Sequence, residues 1–232
     1  MKHWFLCALF AVSVPSIAAA DSIELVSGVA PTITTSIVAG GAYTTGTNPL
    51  NFFNGWEITV NGSSSSPGLS PYGLDLQVLA TCVSGNCLTM PLDVFFTDTG
   101  FNVSVPAGGF QTTYSATDTG EGATRAITWA DSTDTLFGGG LPTGVGADHL
   151  GTVGPISGSG GFGTASGGPA EGPTAYSLTI EDIFTAGPSG TSSFSTDGNI
   201  TATVPEPSSL TLLASGLLVM MFLKRRSRTI GA

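Results

Sequence analysis

Between residues 21 and 203 the apolar residues recur at every second position. Trp56, Ile58 and Val60 do so, as do Leu74, Leu76 and Val78. Val103 and Val105, Leu178 and Ile180, and Ile200, Ala202 and Val204 repeat the pattern. A period of two gives a strand one apolar and one polar face, whereas a helix needs apolar residues three and four apart. Turn residues recur between these segments, and Gly, Ser and Thr crowd out the helix formers. The pattern predicts an all-β fold: an antiparallel, jelly-roll-like β-sandwich with polar outer faces and about nine to eleven strands.

The formal charge of −10 hides an uneven distribution. Lys2, Lys224, Arg225, Arg226 and Arg228 lie at the two ends, leaving Arg125 as the single basic residue of 21–203. Fifteen acidic residues oppose it, so this region carries a formal charge of −14. Such a surface repels nucleic acid and anionic lipid, so its partners are neutral, cationic or metal ions. The scarcity of Lys also leaves Thr, Ser and Asp to guard the sheet edges.

Cys82 and Cys87 bracket Val83-Ser84-Gly85-Asn86, with Leu74–Thr81 before and Leu88–Phe96 after them reading as strands. A Ser-Gly-Asn turn between two strands is a hairpin signal. Cysteines at its base come within disulfide reach, and an oxidising compartment closes the bond. A redox or zinc role fits poorly, because the spacing is not two and two thiols cannot complete a zinc shell.

Candidate chemistry is sparse. Residues 138–172 hold fourteen glycines and read as a Gly-rich loop. Its Gly158-Ser159-Gly160-Gly161-Phe162-Gly163 resembles a dinucleotide fingerprint but lacks the helix that must follow. His149 is the one histidine between the ends, and Gly187-Pro188-Ser189-Gly190-Thr191 fails the nucleophile-elbow pattern at its last position. Asp98 and Asp118 sit in matching Thr-Asp-Thr-Gly segments, read as turns, with Asp131 and Asp134 three apart. Asp in such turns caps its own backbone. Ca²⁺ needs six to eight oxygens, and no EF-hand or nonapeptide pattern supplies them. Trp56, Tyr72, Tyr114, Trp129 and Tyr176 read as core residues rather than a sugar-stacking platform. The expectation is therefore no catalytic residue, no cofactor and no assigned metal ligand, with Ca²⁺ as the minor alternative.

The two ends read as addresses. Residues 1–20 carry Lys2, an apolar stretch, Pro15 and Ala18-Ala19-Ala20, the pattern of a signal peptide cut between Ala20 and Asp21. Cys7 leaves with it. At the other end come Val204, Pro205, Glu206 and Pro207, then an apolar helix over 208–223, then Lys224, Arg225, Arg226 and Arg228. The prolines keep the motif extended. Leu210 to Leu223 rise only about 21 Å against a hydrocarbon core of roughly 30 Å, a short span that suits a temporary anchor. The basic stop stays cytoplasmic.

In order, spacing and position, these C-terminal elements resemble the PEP-CTERM sorting signal of Gram-negative bacteria. The resemblance covers residues 204–232. It implies recognition and cleavage by an exosortase, a membrane-embedded cysteine-type transpeptidase, and a link to exopolysaccharide or biofilm. The expected protein is exported across the inner membrane, held there by a transient transmembrane helix, and then displayed at the surface or released. A structural or interaction role is the first expectation and a carbohydrate-binding module the alternative. A glycoside hydrolase built on two carboxylates is the third.

Overall fold

The computed structural model describes residues 21–28, 33–37, 42–44, 53–64, 73–101, 109–131, 147–158, 160–167, 176–190 and 192–202. The signal segment 1–20, the motif 204–207, the helix 208–223 and the basic stop lie outside these residues. So do Tyr72, Val103, Val105 and Asp134. Among the described residues there are twelve strands rather than nine to eleven. They are β1 (Asp21–Val26), β2 (Ile33–Ile37), β3 (Ala42–Thr44), β4 (Trp56–Ser64), β5 (Gly73–Cys82) and β6 (Leu92–Phe101). The chain continues with β7 (Phe110–Asp118), β8 (Ala123–Asp131), β9 (Ala147–Ile156), β10 (Gly161–Gly167), β11 (Tyr176–Thr185) and β12 (Ser193–Ala202).

The strands form two six-stranded antiparallel sheets, as the alternation predicts. The first has the order β2-β1-β6-β11-β8-β9 and the second β10-β7-β12-β5-β4-β3. Only β1–β2, β3–β4, β4–β5 and β8–β9 pair with a sequence neighbour. From β5 to β8, and again from β9 to β12, each successive strand changes sheet. Most of the pairing is therefore long-range, the jelly-roll-like winding of a sandwich.

Alternate residues fill the space between the sheets. Trp56, Ile58 and Val60, with Leu74, Leu76 and Val78, are buried from the second sheet; Leu178 and Ile180 meet them from the first. Trp56 packs against Phe184 and Phe194, with ring centroids 6.5 and 6.1 Å away. Phe101, Tyr176 and Phe110 make a second aromatic group, with Tyr176 5.5 and 5.8 Å from its neighbours. Trp56, Tyr114 and Tyr176 are thus core residues, as expected, whereas Trp129 is only half-buried and packs on the exposed His149 instead of in the core. The core turns polar towards β7 and β8. Thr112 bonds Thr128 at 2.6 Å, Tyr114 Oη bonds Thr124 at 2.6 Å, and Thr196 donates to Asp182 at 2.7 Å. Each of these bonds joins one sheet to the other.

Three sequence expectations need correction. First, the Gly-rich stretch is not a loop over its whole length, because β9 and β10 lie inside it. Gly161, Gly163 and Gly167 of β10 face inward with Ala165, while Phe162, Thr164 and Ser166 face solvent. A Cβ on Gly163 would overlap Val153 of β9, one on Gly161 would overlap Ile156, and one on Gly167 would overlap the Leu150 carbonyl. The alternating glycines let the edge strands of the two sheets close together. Second, Cys82 and Cys87 do form a disulfide, with Cα atoms 5.7 Å apart, but not at the base of a hairpin. Residues Gly85–Leu88 form a 3₁₀ turn, β6 starts at Leu92, and β5 and β6 belong to different sheets. The bond therefore closes a crossover. Third, Asp98 lies buried within β6 rather than in a turn. Asp118 does cap a turn, accepting a bond from the Gly120 amide at 2.8 Å.

The seam gives a direct test. Gly163→Val should destabilise the fold by about 1–3 kcal/mol through overpacking, whereas Ser166→Val should stay within about 0.5 kcal/mol. Urea unfolding midpoints of the two variants would measure this. Replacing both Cys82 and Cys87 by Ser should cost about 2 kcal/mol by the loop-entropy estimate, with the same readout.

Candidate functional site

The outer face of the second sheet presents its polar residues in register. One rung runs across five strands: Asn61, Gln77, Asp197, Ser115 and Phe162. The next rung holds Ser63, Asp75, Asn199, Thr113 and Thr164. On the other side lie Thr59, Leu79, Ser195 and Thr117. Cross-strand residues sit about 4.5–5.5 Å apart at Cβ, so each rung forms a continuous strip of donors and acceptors.

A groove of about 470 Å³ opens over this face, lined by Asn61, Gln77, Leu79, Ser115, Thr117, Ser195 and Asp197. A smaller hollow of about 220 Å³ adjoins Ser63, Asp75, Asn199 and Thr201. Two apolar side chains stand out beside these polar strips: Leu79 is 54 % exposed and Phe162 is 70 % exposed. Asp75 is held above the usual carboxylate range, first by burial and then by the neighbouring charge of Asp197. Hydrogen bonds from Asn199 and Ser63 work the other way, while a hydrogen bond with Asp197 adds to the rise.

The sequence did not mark these residues as a binding face; Phe162 drew notice only within the apparent dinucleotide fingerprint. They are the positions skipped by the apolar alternation, and nothing local marks which skipped positions share a face. The candidates that did stand out are dispersed. His149 is exposed, bonds Thr152 at 2.8 Å and packs against Trp129 at 5.0 Å, on the first sheet. Asp131 lies buried at the end of β8 and Asp118 at the end of β7. No group of three or more His, Cys, Asp or Glu able to hold a metal ion occurs among the described residues.

The first sheet carries displaced acids of its own: Asp93, raised by burial, and the more strongly shifted Asp182 and Glu181. Asp182 is fully buried between the sheets, and burial pushes it up to about 8. Thr196 opposes that shift, while Glu181 and Asp197 reinforce it. Glu181 points to the other face of β11, and burial followed by the charge of Asp93 pushes it to about 7. The Trp129 indole N–H lies nearby, outside hydrogen-bond geometry, and with Arg125 it offsets part of the shift.

Asp182 and Glu181 both hold protons in the folded state that the unfolded chain releases near pH 4. Between about pH 4 and pH 8 the native state therefore binds more protons, and stability falls as pH rises. The thermal midpoint should drop across that window. Asp182→Asn keeps an acceptor for Thr196 and removes the charge, so it should flatten the profile and raise the midpoint at pH 8. Melting both proteins at a series of pH values checks this; parallel profiles would be inconsistent with a displaced Asp182.

Among curated proteins, no sequence matches the chain. Two solved structures are similar in fold class. One is a carbohydrate-binding module of the β-sandwich superfamily, 13% identical, covering 80% of this chain and 84% of that one, with a TM-score of 0.32. The other is a cleaved adhesin domain of Lys-gingipain from Porphyromonas gingivalis, 12% identical, covering 62% and 74%, with a TM-score of 0.28. Residues 203–226 match the PEP-CTERM protein-sorting motif, which implies processing by an exosortase and export to the cell surface or extracellular space. The chain is a β-sandwich protein that carries a PEP-CTERM sorting signal.

Proposed function

We propose that this protein is a non-catalytic polysaccharide-interaction module, exported from a Gram-negative cell and fixed in its extracellular polymer or biofilm after exosortase cleavage. A signal peptide over residues 1–20 starts the export, and the apolar run 208–223 serves as a transient anchor. The observation that carries the interaction role is the groove on the second sheet. Its rungs offer amide, hydroxyl and carboxylate groups at strand spacing, and Leu79 and Phe162 supply apolar surface beside them. A sugar chain needs both: hydrogen bonds for its hydroxyls and apolar contact for its ring faces. The formal charge of −14 over 21–203 disfavours nucleic acid and anionic lipid as partners.

A binding role fits the groove better than hydrolysis. A glycosidase holds its carboxyl groups about 5–5.5 Å or 6.5–9.5 Å apart, leaving room for the sugar carbon or a water. Asp75 and Asp197 stand on adjacent rungs of one open sheet face rather than on opposite walls of a cleft, so they do not flank a bond between them. His149 contacts Thr152 and Trp129 rather than a nucleophile–acid pair.

The reading predicts that the full chain sediments with exopolysaccharide from its own cells and releases no new reducing ends. Replacing Asn61 and Gln77 together by Ala should lower retention about tenfold, the effect of losing one or two net hydrogen bonds. Retention unchanged in this variant, or release of reducing sugar, would refute the assignment of the groove. In the same cells, Pro205→Ala with Pro207→Ala should leave an uncut, membrane-bound chain on immunoblots of fractionated cells.

A further inference from the structure

The electrostatics of the groove narrow its ligand further than the polysaccharide reading alone. Asp197 on β12 lines it, while Asp75 on β5 lines the smaller hollow over the next rung. Their surroundings are amides and hydroxyls, which hydrogen-bond a carboxylate without neutralising it. Arg125, the single basic residue of 21–203, lies on β8 of the first sheet, beside Asp93 and Glu181. The groove therefore keeps its negative charge, and Asp75 is partly shielded from the water that would otherwise stabilise it. The rise of Asp75, caused first by burial and then by Asp197, expresses the same deficit of positive charge. Beside these carboxylates stand Leu79 and Phe162, exposed at 54 % and 70 %. Phe162 shares the rung of Asp197, with Ser115 between them. An aromatic face attracts both the C–H face of a sugar ring and a nearby cation.

We propose that the groove and the hollow over the next rung together bind an extended glycan carrying free amino groups, with ammonium groups on Asp197 in the groove and Asp75 in the hollow, and ring faces on Leu79 and on Phe162 beside them. The inference rests on the polysaccharide reading and specifies its charge. An ammonium forms charge-assisted hydrogen bonds to both acids and relieves the repulsion between them. N-acetylation removes that charge while keeping the ring. A uronic-acid glycan brings like charge to the groove and is repelled.

The test compares three oligosaccharides of equal length against the full chain by titration calorimetry: glucosamine, N-acetylglucosamine and galacturonate oligomers. The glucosamine oligomer should bind at least tenfold more tightly than the acetylated one, the advantage should shrink as salt rises, and galacturonate should not bind. Asp197→Asn should weaken glucosamine binding about tenfold and leave the acetylated oligomer unchanged. Phe162→Ala, at a position 70 % exposed, should weaken both while leaving the thermal midpoint unchanged. Equal or tighter binding of the acetylated oligomer would overturn the charge inference and leave the polysaccharide reading standing. Preference for galacturonate would overturn the charge inference in the same way. Binding of none of the three, by a chain whose thermal midpoint is unchanged, would overturn the inference. If retention on native exopolysaccharide were also absent, the polysaccharide reading would fail with it.

Discussion

The face-to-face burial of two sheets is the interaction on which everything else here depends. Neither sheet is stable alone, because each exposes one row of apolar residues per strand until the other covers it. Trp56 and Phe194 from the second sheet close on Phe184 from the first, and Phe110 closes on Tyr176 in the same way. Once these contacts fix the inner faces, period two fixes the outer ones. The rungs of Asp75 and Asp197 face solvent because Leu74, Leu76, Val78 and Ile200 face inward. The candidate site is the reverse side of the core.

The sandwich is not uniformly apolar inside. Where β7 and β8 meet, Thr112–Thr128 and Tyr114–Thr124 bond across the sheets, and Asp182 lies fully buried beneath Thr196. Bonds of this kind need defined geometry, so they fix how one sheet sits on the other, whereas apolar contact tolerates sliding. The glycines of β10 serve the same end by steric means. With Gly161, Gly163 and Gly167 inward, β9 and β10 close the open side of the sandwich without large side chains. A protein delivered outside the cell, with little positive charge to guard its edges, gains from such closure.

The sorting signal and the proposed binding face occupy separate parts of this chain. The sorting motif occupies 203–226, after the last strand of the sandwich. The sandwich ends with β12 at Ala202, immediately before that motif, so the last strand leads straight into the processing signal. That same strand contributes Asp197 and Ser195 to the groove. The surface to be displayed and the signal that displays it are thus neighbours in the chain.

The sequence by itself determined the fold class, the sorting signal and the cysteines that pair. Each rests on local information: alternation within one strand, contiguous motif order, or two thiols five residues apart. It could not determine which strands pair, because most partners lie far apart in the chain and alternation is the same for any partner. That is why the Cys82–Cys87 turn read as a hairpin although it crosses between sheets. It is also why the Gly-rich stretch read as a loop: the need for glycine at 161, 163 and 167 arises from β9 lying against them. The groove was invisible for the same reason. Asn61, Gln77, Asp197, Ser115 and Phe162 are spread from residue 61 to residue 197, and only the register of five strands brings them into one rung.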